Sequence, residues 1–443
     1  MKLVRILAPA ILLALAPLSR AADLQQLVRQ KVDAEYASLF EVYKDLHMHP
    51  ELSLMEEKTS AKLAGELRAA GYEVTERFGG YGVVAVLKNG PGPVLLIRGD
   101  MDALPVAEET GLPYASKVRV TDLSGREMPV MHACGHDIHV TCLIGTARTM
   151  ASLREHWSGT LVLIGQPAEE RVIGARAMLT EGLYRKFPKP DFALALHDDE
   201  SIPAGSIGTA EGFNAANVNT LEILVRGIGG HGAYPHTTKD PIVLAARIIG
   251  ALQTITSREI NPTDPCVITV GSIHGGTKAN IISAEVKLQL TLRSYSDKVR
   301  AYSIEAVRRI CRGEAIAAGL PDDLMPIVTE IENEAAPALY NDPTLTRRVR
   351  ATLVNWFGAD RLRITPPQMG AEDFSEFGRT VEKVPVCMFF VGAVDPDKLA
   401  ESERTGVPLP SAHSSKFAPV PEPTIKTGIV AMTAAALDLL AKK

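Results

Sequence analysis

Three short apolar runs each stop at side chains able to bind a cation or move a proton, and this pattern constrains the chain most. Val94 to Ile97 leads into Asp100 and Asp102, Leu161 to Ile164 into Glu169 and Glu170, and Phe192 to Leu196 into His197. Runs of this length read as buried strands. With Val83 to Leu87 and Val386 to Val391 they alternate with stretches of helical periodicity such as Ile138 to Met150 and Ala175 to Leu183. That alternation predicts an α/β domain with a mainly parallel sheet, and sheets of this kind carry their ligand site at the carboxyl ends of the strands.

The rhythm changes between residues 214 and 332. Asn219 to Arg226, Pro241 to Ser257, Val267 to Ile273, Glu285 to Arg293, Lys298 to Ala318 and Met325 to Ile331 read as strand, helix, strand, strand, helix, strand. This is the order of a ferredoxin-like α+β unit. None of the main metal-ligand candidates falls in it, so it is expected as a second domain inserted into the first, which is then split into 22–213 and 333–443. A chain of 443 residues, 46% hydrophobic and 22% charged, has room for two cores. Its 47 basic and 52 acidic residues, with no basic patch, speak against nucleic acid as a partner.

Residues 1–21 have the pattern of a secretory signal: Lys2 and Arg5, apolar Ile6 to Leu18, then Ser19-Arg20-Ala21 with cleavage expected after Ala21. The apolar run contains Pro9 and Pro17 and is short for a membrane span. The expectation is an exported protein, periplasmic or secreted, with no membrane association once the leader is removed. The five cysteines are odd in number and scattered, which argues against a disulfide framework. Cys142, Cys266, Cys311 and Cys387 sit among apolar residues and are expected in the core.

Cys134 has different neighbours, in Met131-His132-Ala133-Cys134-Gly135-His136-Asp137. Cys134 and His136 fall at the start of a predicted helix, whose dipole favours a thiolate, and Gly135 permits the tight backbone that lets both face one ion. A thiolate, imidazoles and a carboxylate bind divalent transition ions. Adjacent Glu169 and Glu170 point different ways, so one can ligate while the other takes a proton from an activated water. Asp100 and Asp102 suit a carboxylate that orients a ligating histidine. His197 and His413 gain meaning only from this ensemble, which points to a metallohydrolase. Gly227 to Gly232 fits the glycine pattern of a dinucleotide site but is followed by Pro235 and polar Thr237 to Asp240 where the phosphate-binding helix should open. Neither H-E-x-x-H nor G-x-S-x-G occurs, so a zincin or a serine hydrolase is not indicated.

On these residues the chain resembles the M20 metallopeptidase superfamily, specifically its amidohydrolase branch of hippurate hydrolases, indole-acetyl-amino-acid hydrolases and N-acyl-amino-acid amidohydrolases. The resemblance runs through Asp45 to Leu52, Asp100 to Pro105, the Cys134 motif, Gln166 to Glu170, Gly229 to His236, Ala279 to Ile282 and Met369 to Phe374. It implies two divalent ions per subunit, zinc or manganese first and cobalt or nickel as alternatives, held by Cys134, His136, Glu170, His197 and His413. Glu169 would be the general base, with Asp102 behind the ligands. The inserted domain would be a lid and the dimerisation surface of a homodimer. His231 would polarise the scissile carbonyl from the partner subunit, while Asn280 and Arg293 approach the substrate's carbonyl and carboxylate. The implied reaction is hydrolysis of an N-acyl or N-aroyl amino acid to a carboxylic acid and a free amino acid. Around His413 the chain reads Ser411-Ala412-His413-Ser414-Ser415, which departs from the family's His-Asn-Pro context. Two alternatives stand beside this reading. One is a dipeptidase or carboxypeptidase on the same scaffold, acting on short peptides; the other is a non-catalytic exported binding protein, which would have no use for an unligated carboxylate.

Overall fold

The computed structural model describes residues 16–442; residues 1–15 of the expected leader lie outside it, and a helix Ala16–Met48 runs through the expected cleavage point. No helix among the described residues is long and apolar enough to cross a membrane.

The larger sheet has eight strands in the order Glu73–Thr75, Val83–Asn89, Gly159–Gln166, Val94–Asp100, Phe192–Pro203, Val386–Val394, Ile207–Thr209 and Leu362–Ile364. Gly159–Gln166, Val94–Asp100, Phe192–Pro203 and Val386–Val394 are mutually parallel and form its centre, with antiparallel neighbours toward both edges. Side chains alternate between two faces, and both faces are covered. Leu95, Ile97, Leu161, Leu163, Leu194 and Leu196 pack under helices that include His136–Ser152 and Pro421–Leu439. Leu96, Val162, Ile164, Ala193 and Ala195 join Phe374, Phe377 and Phe390 on the other side. Two-sided burial is why these strands read as continuous apolar runs instead of alternating ones. The carboxyl ends of the parallel strands converge, bringing Asp100, Asp102 and the Glu169-Glu170 turn together. His197 differs from its expectation: the strand continues past it to Pro203, because Val386–Val394 pairs with it from Ala193 to Asp199 and, past a register shift, at Pro203, His197 lying opposite Phe390.

The second sheet is four-stranded and antiparallel, ordered Cys266–Gly275, Glu285–Ser294, Asn217–Arg226 and Ile327–Ala336. Helices Pro241–Thr254 and Asp297–Ala317 pack on it around a separate core that includes Leu221, Ile223, Leu244, Ile248, Leu288 and Val307. The element order is the expected β-α-β-β-α-β. The last strand runs to Ala336 instead of ending near 331, because a register shift at Asn219 and Thr220 lets Ala335 and Ala336 rejoin the ladder.

Candidate metal centre

The sharp turn at Cys134 depends on Gly135, which sits at φ 72 and caps the helix His136–Ser152. A Cβ there would lie 2.3 Å from the carboxylate of Asp198, so any side chain would clash as well as strain the backbone. Cys134 Sγ thereby comes 3.6 Å from His197 Nε2. The helix start does not make Cys134 an easy thiolate. Burial, and then the charges of Glu170, Glu169, Asp198 and Asp100, push its pKa well above the usual thiol value. Only a nearby cation reverses that field.

The two histidines are aimed by backbone carbonyls. His136 Nδ1 donates to the carbonyl of Asp102 at 2.7 Å and His197 Nδ1 to that of Asp198 at 2.6 Å, leaving both Nε2 atoms to face inward. Burial opposes charge on both rings. The carboxylates overcome it, Asp100 and Asp102 raising His136 to about 9 and Asp198 raising His197 to about 9. The Asp102 carboxylate lies 3.5 Å from His136 Nδ1, and its own hydrogen bonds are accepted from the N–H groups of Glu169 at 3.1 Å and Glu170 at 3.0 Å and the hydroxyl of Ser53 at 2.6 Å. Asp102 therefore sets both the ring and the glutamate turn. That turn is strained, with Ala168 and Val172 both at φ 51, and is packed so closely that a Cβ on Gly174 would fall 1.5 Å from the carbonyl oxygen of Pro167.

His136 Nε2 lies 3.8 Å from Glu169 Oε2 and 3.9 Å from Glu170 Oε1, and His413 Nε2 lies 3.5 Å from Glu170 Oε2. The His413 N–H donates to the carbonyl of Ala133 at 2.7 Å, tying its loop to the Cys134 turn despite the altered sequence around it. Ligand atoms of Cys134, His136 and His197 fall within 4.8 Å of one another, as do those of Cys134, Glu170 and His413 and those of His136, Glu169 and Glu170. His136 Nε2 and Glu170 Oε1 are buried without a hydrogen-bond partner. Buried donors and acceptors are rarely left so, and soft sulfur, imidazole and carboxylate converging on one negative region fit divalent transition ions. Burial lifts Glu170 to about 7 against the pull of His136; burial, Glu372 and Glu170 push Glu169 well up. The Glu169 carboxylate makes no hydrogen bond among the described residues and faces a cavity of about 630 Å³ between the two sheets.

Arg293 lines the same cavity from the inserted unit, donating to the carbonyl of Met369 at 3.0 Å. It has no carboxylate partner among the described residues, since Asp297 pairs with Arg379 at 2.9 Å. His231 and Asn280 do not line the cavity. They meet on an exposed two-stranded ribbon, Gly230–His231 with Ile281–Ile282, where the Gly232 N–H donates to the Asn280 carbonyl at 2.8 Å.

Several polar residues behind the centre lie beyond the sequence reading. Arg98, fully buried, bonds Asp100, Glu372 and Asp373. His139 donates from Nδ1 to Asp100 at 2.6 Å and accepts the Asp198 N–H at 3.0 Å. Its spacing of three from His136 on one helix was the available signal. His47 lies between Asp137 at 2.6 Å and Glu108 at 3.0 Å; burial opposes its charge, but these bonds raise it to about 10. Of the core cysteines, Cys142, Cys311 and Cys387 are buried, Cys266 is half-buried, and all five cysteines are free.

A family model described as peptidase family M20/M25/M40 matches residues 96–408. The chain belongs to the M20 family. It is 36% identical to thermostable carboxypeptidase 1 of Saccharolobus solfataricus over 397 residues, covering 89% of this chain and 93% of that one. It is 34% identical to N-acetyldiaminopimelate deacetylase of Limosilactobacillus fermentum over 372 residues, covering 83% and 92%. Among solved structures it is similar to the Bacillus subtilis YXEP protein, a dinuclear metal binding peptidase from the M20 family. There the TM-score is 0.74 and the identity 28%, with coverage of 92% and 99%. This M20 chain is thus a metal-dependent hydrolase of the amidohydrolase and peptidase type, with both activities among its relatives.

Proposed function

We propose that this M20 hydrolase cleaves the amide bond of N-acyl amino acids, with two zinc or manganese ions per subunit. The observation that carries this reading is Glu169, a buried, unengaged carboxylate of raised pKa facing the cavity beside the ligand cluster. Divalent ions bound by Cys134, His136, Glu170, His197 and His413 would supply Lewis acidity to the amide carbonyl and lower the pKa of a water. Glu169 takes the proton of the attacking water and returns it to the leaving nitrogen. Asp102 holds the Glu169-Glu170 turn so that the two carboxylates keep separate tasks. Arg293, without an ionic partner, binds the substrate's α-carboxylate through its planar fork.

The test is one substrate panel on metal-loaded enzyme: an N-acyl amino acid, its C-terminal amide and a free dipeptide. We expect the N-acyl acid to be preferred over the dipeptide, and the amide to lose about a hundredfold in kcat/KM, the cost of one charged hydrogen-bonding partner. Arg293→Ala should lose that preference for the acid. A dipeptide preference would favour the peptidase reading, while a variant that still discriminates would put the carboxylate clamp elsewhere.

His231 acts from the partner subunit of a homodimer in this reading, donating to the carbonyl oxygen as negative charge develops there. Its Nδ1 accepts the Ala233 N–H at 3.0 Å, which leaves Nε2 for the substrate, with Asn280 beside it. Exposed Tyr234, Ile281 and Ile228 around it, and the open edge strand Cys266–Gly275 with exposed Ile273, support a second copy docking on this unit. His231→Ala and Glu169→Gln, each inactive alone, should recover part of the activity when mixed and re-associated. Absence of recovery in demonstrated heterodimers would remove the trans role. The leader-like residues 1–21 support export to the periplasm or beyond.

A further inference from the structure

A second cavity, of about 620 Å³, opens on the other side of the Glu170-Arg171 turn, and these two residues line both cavities. Its other walls include Leu52, Met55, Leu104, Leu123 and Met128. Below it lies a small apolar cluster of Leu52, Ala103 and Val130. A hairpin that pairs Arg119–Thr121 with Glu127–Pro129 forms its outer side. The tip of this hairpin is fixed: Asp122 Oδ1 accepts the N–H groups of Ser124 and Arg126, both at 2.9 Å, and the Ser124 hydroxyl at 2.6 Å. The Gly125 N–H closes the turn onto the Asp122 carbonyl at 2.9 Å, with Gly125 at φ 82. The polar groups of Asp122 and Ser124 are thus engaged by the turn itself. Leu123 is left 66% exposed, an apolar side chain held at the cavity rim by a structured turn. The lining is mixed, with Ser53, Arg126, Glu170 and Arg171 beside these apolar side chains, and a volume of this order suits a small-molecule group.

We propose that this cavity receives an apolar acyl chain of the substrate, making the enzyme selective for N-acyl amino acids with alkyl chains longer than acetyl. The inference rests on the amidase reading above. Arg293 draws the amino-acid half to the inserted unit's side of the first cavity, and the glutamate turn marks the scissile bond. In this reading the acyl half passes over the Glu170-Arg171 turn, which lines both cavities, toward Leu52, Leu104 and Leu123.

The test is kcat/KM on metal-loaded wild type and Leu123→Asp for N-acetyl, N-butyryl, N-hexanoyl and N-octanoyl derivatives of one amino acid. Each methylene buried should raise kcat/KM about fourfold in wild type until the cavity fills. Leu123→Asp, at the exposed hairpin tip, should flatten the rise for the longer chains when each rate is taken relative to that variant's own N-acetyl rate. A flat or falling series in wild type, or an undiminished rise in Leu123→Asp, overturns the acyl cavity while leaving N-acyl hydrolysis standing. Failure to cleave any N-acyl substrate, with dipeptides cleaved, overturns both readings.

Discussion

Glu169→Gln is expected to retain its metal and lose about 10²- to 10⁴-fold in kcat, the usual contribution of a general acid-base group. Glu170→Gln is expected to lose metal, and activity with it. Distance to His136 does not separate the two carboxylates, at 3.8 and 3.9 Å. Their surroundings do. Glu170 also approaches His413 and shares a cluster with Cys134, whereas Glu169 lies outside that cluster, in the field of Glu372 and Asp373, where burial and like charge favour holding a proton. Glutamine keeps the shape of either side chain, so each variant removes charge and proton transfer with little change in packing. The readouts are metal content per subunit and kcat on an N-acyl substrate at saturation. Exchanged phenotypes would reverse the assignment of base and ligand; a full rate in both variants would take the turn out of catalysis.

The fold was legible because each layer left its own periodicity. The central strands are buried on both faces and read as unbroken apolar runs. The strands of the inserted unit alternate instead, as in Asn217–Arg226, whose residues are buried and half-buried in turn toward its end. Cys134, His136, Glu169, Glu170 and His197 could be found because ligand-type residues gathered at strand ends or around a glycine. What stayed hidden is whatever depends on direction. A sequence does not tell that Asp102 bonds the glutamate turn through its carboxylate and the His136 ring through its carbonyl. Nor does it tell that His197 sits inside a strand, since strand length is decided by the partner Val386–Val394. The second cavity was illegible for a similar reason: Leu52, Leu104 and Leu123 are far apart in sequence and meet only when the 119–129 hairpin folds over.

Arg98 is the least legible residue of all, an arginine within an apolar run, and its replacement should cost the most stability. Its guanidinium bonds Glu372 at 2.6 Å, Asp373 at 3.3 Å and Asp100, while Nε donates to Gln166 at 3.0 Å. In Arg98→Met the apolar stem is largely kept and the three carboxylates stay buried without their cation. Breaking a buried pair in this way costs about 3–5 kcal/mol, measurable by denaturant titration. The pH dependence identifies the cause. Burial already holds Asp373 up at about 8 beside Arg98, whereas Asp100, despite its burial, is held well below the usual carboxylate range, foremost by Arg98. Without Arg98 the folded-state pKa values of Asp100 and Asp373 rise, and a group whose folded pKa exceeds its unfolded one loses stability as pH increases. The gap between wild type and variant should therefore widen as pH rises and narrow toward pH 5, where the carboxyls can take up protons. A gap independent of pH would assign the loss to packing alone. Because Asp100 also holds His139 and lies 3.6 Å from His136 Nε2, the same variant should bind metal more weakly, tying the buried charge cluster to the centre it supports.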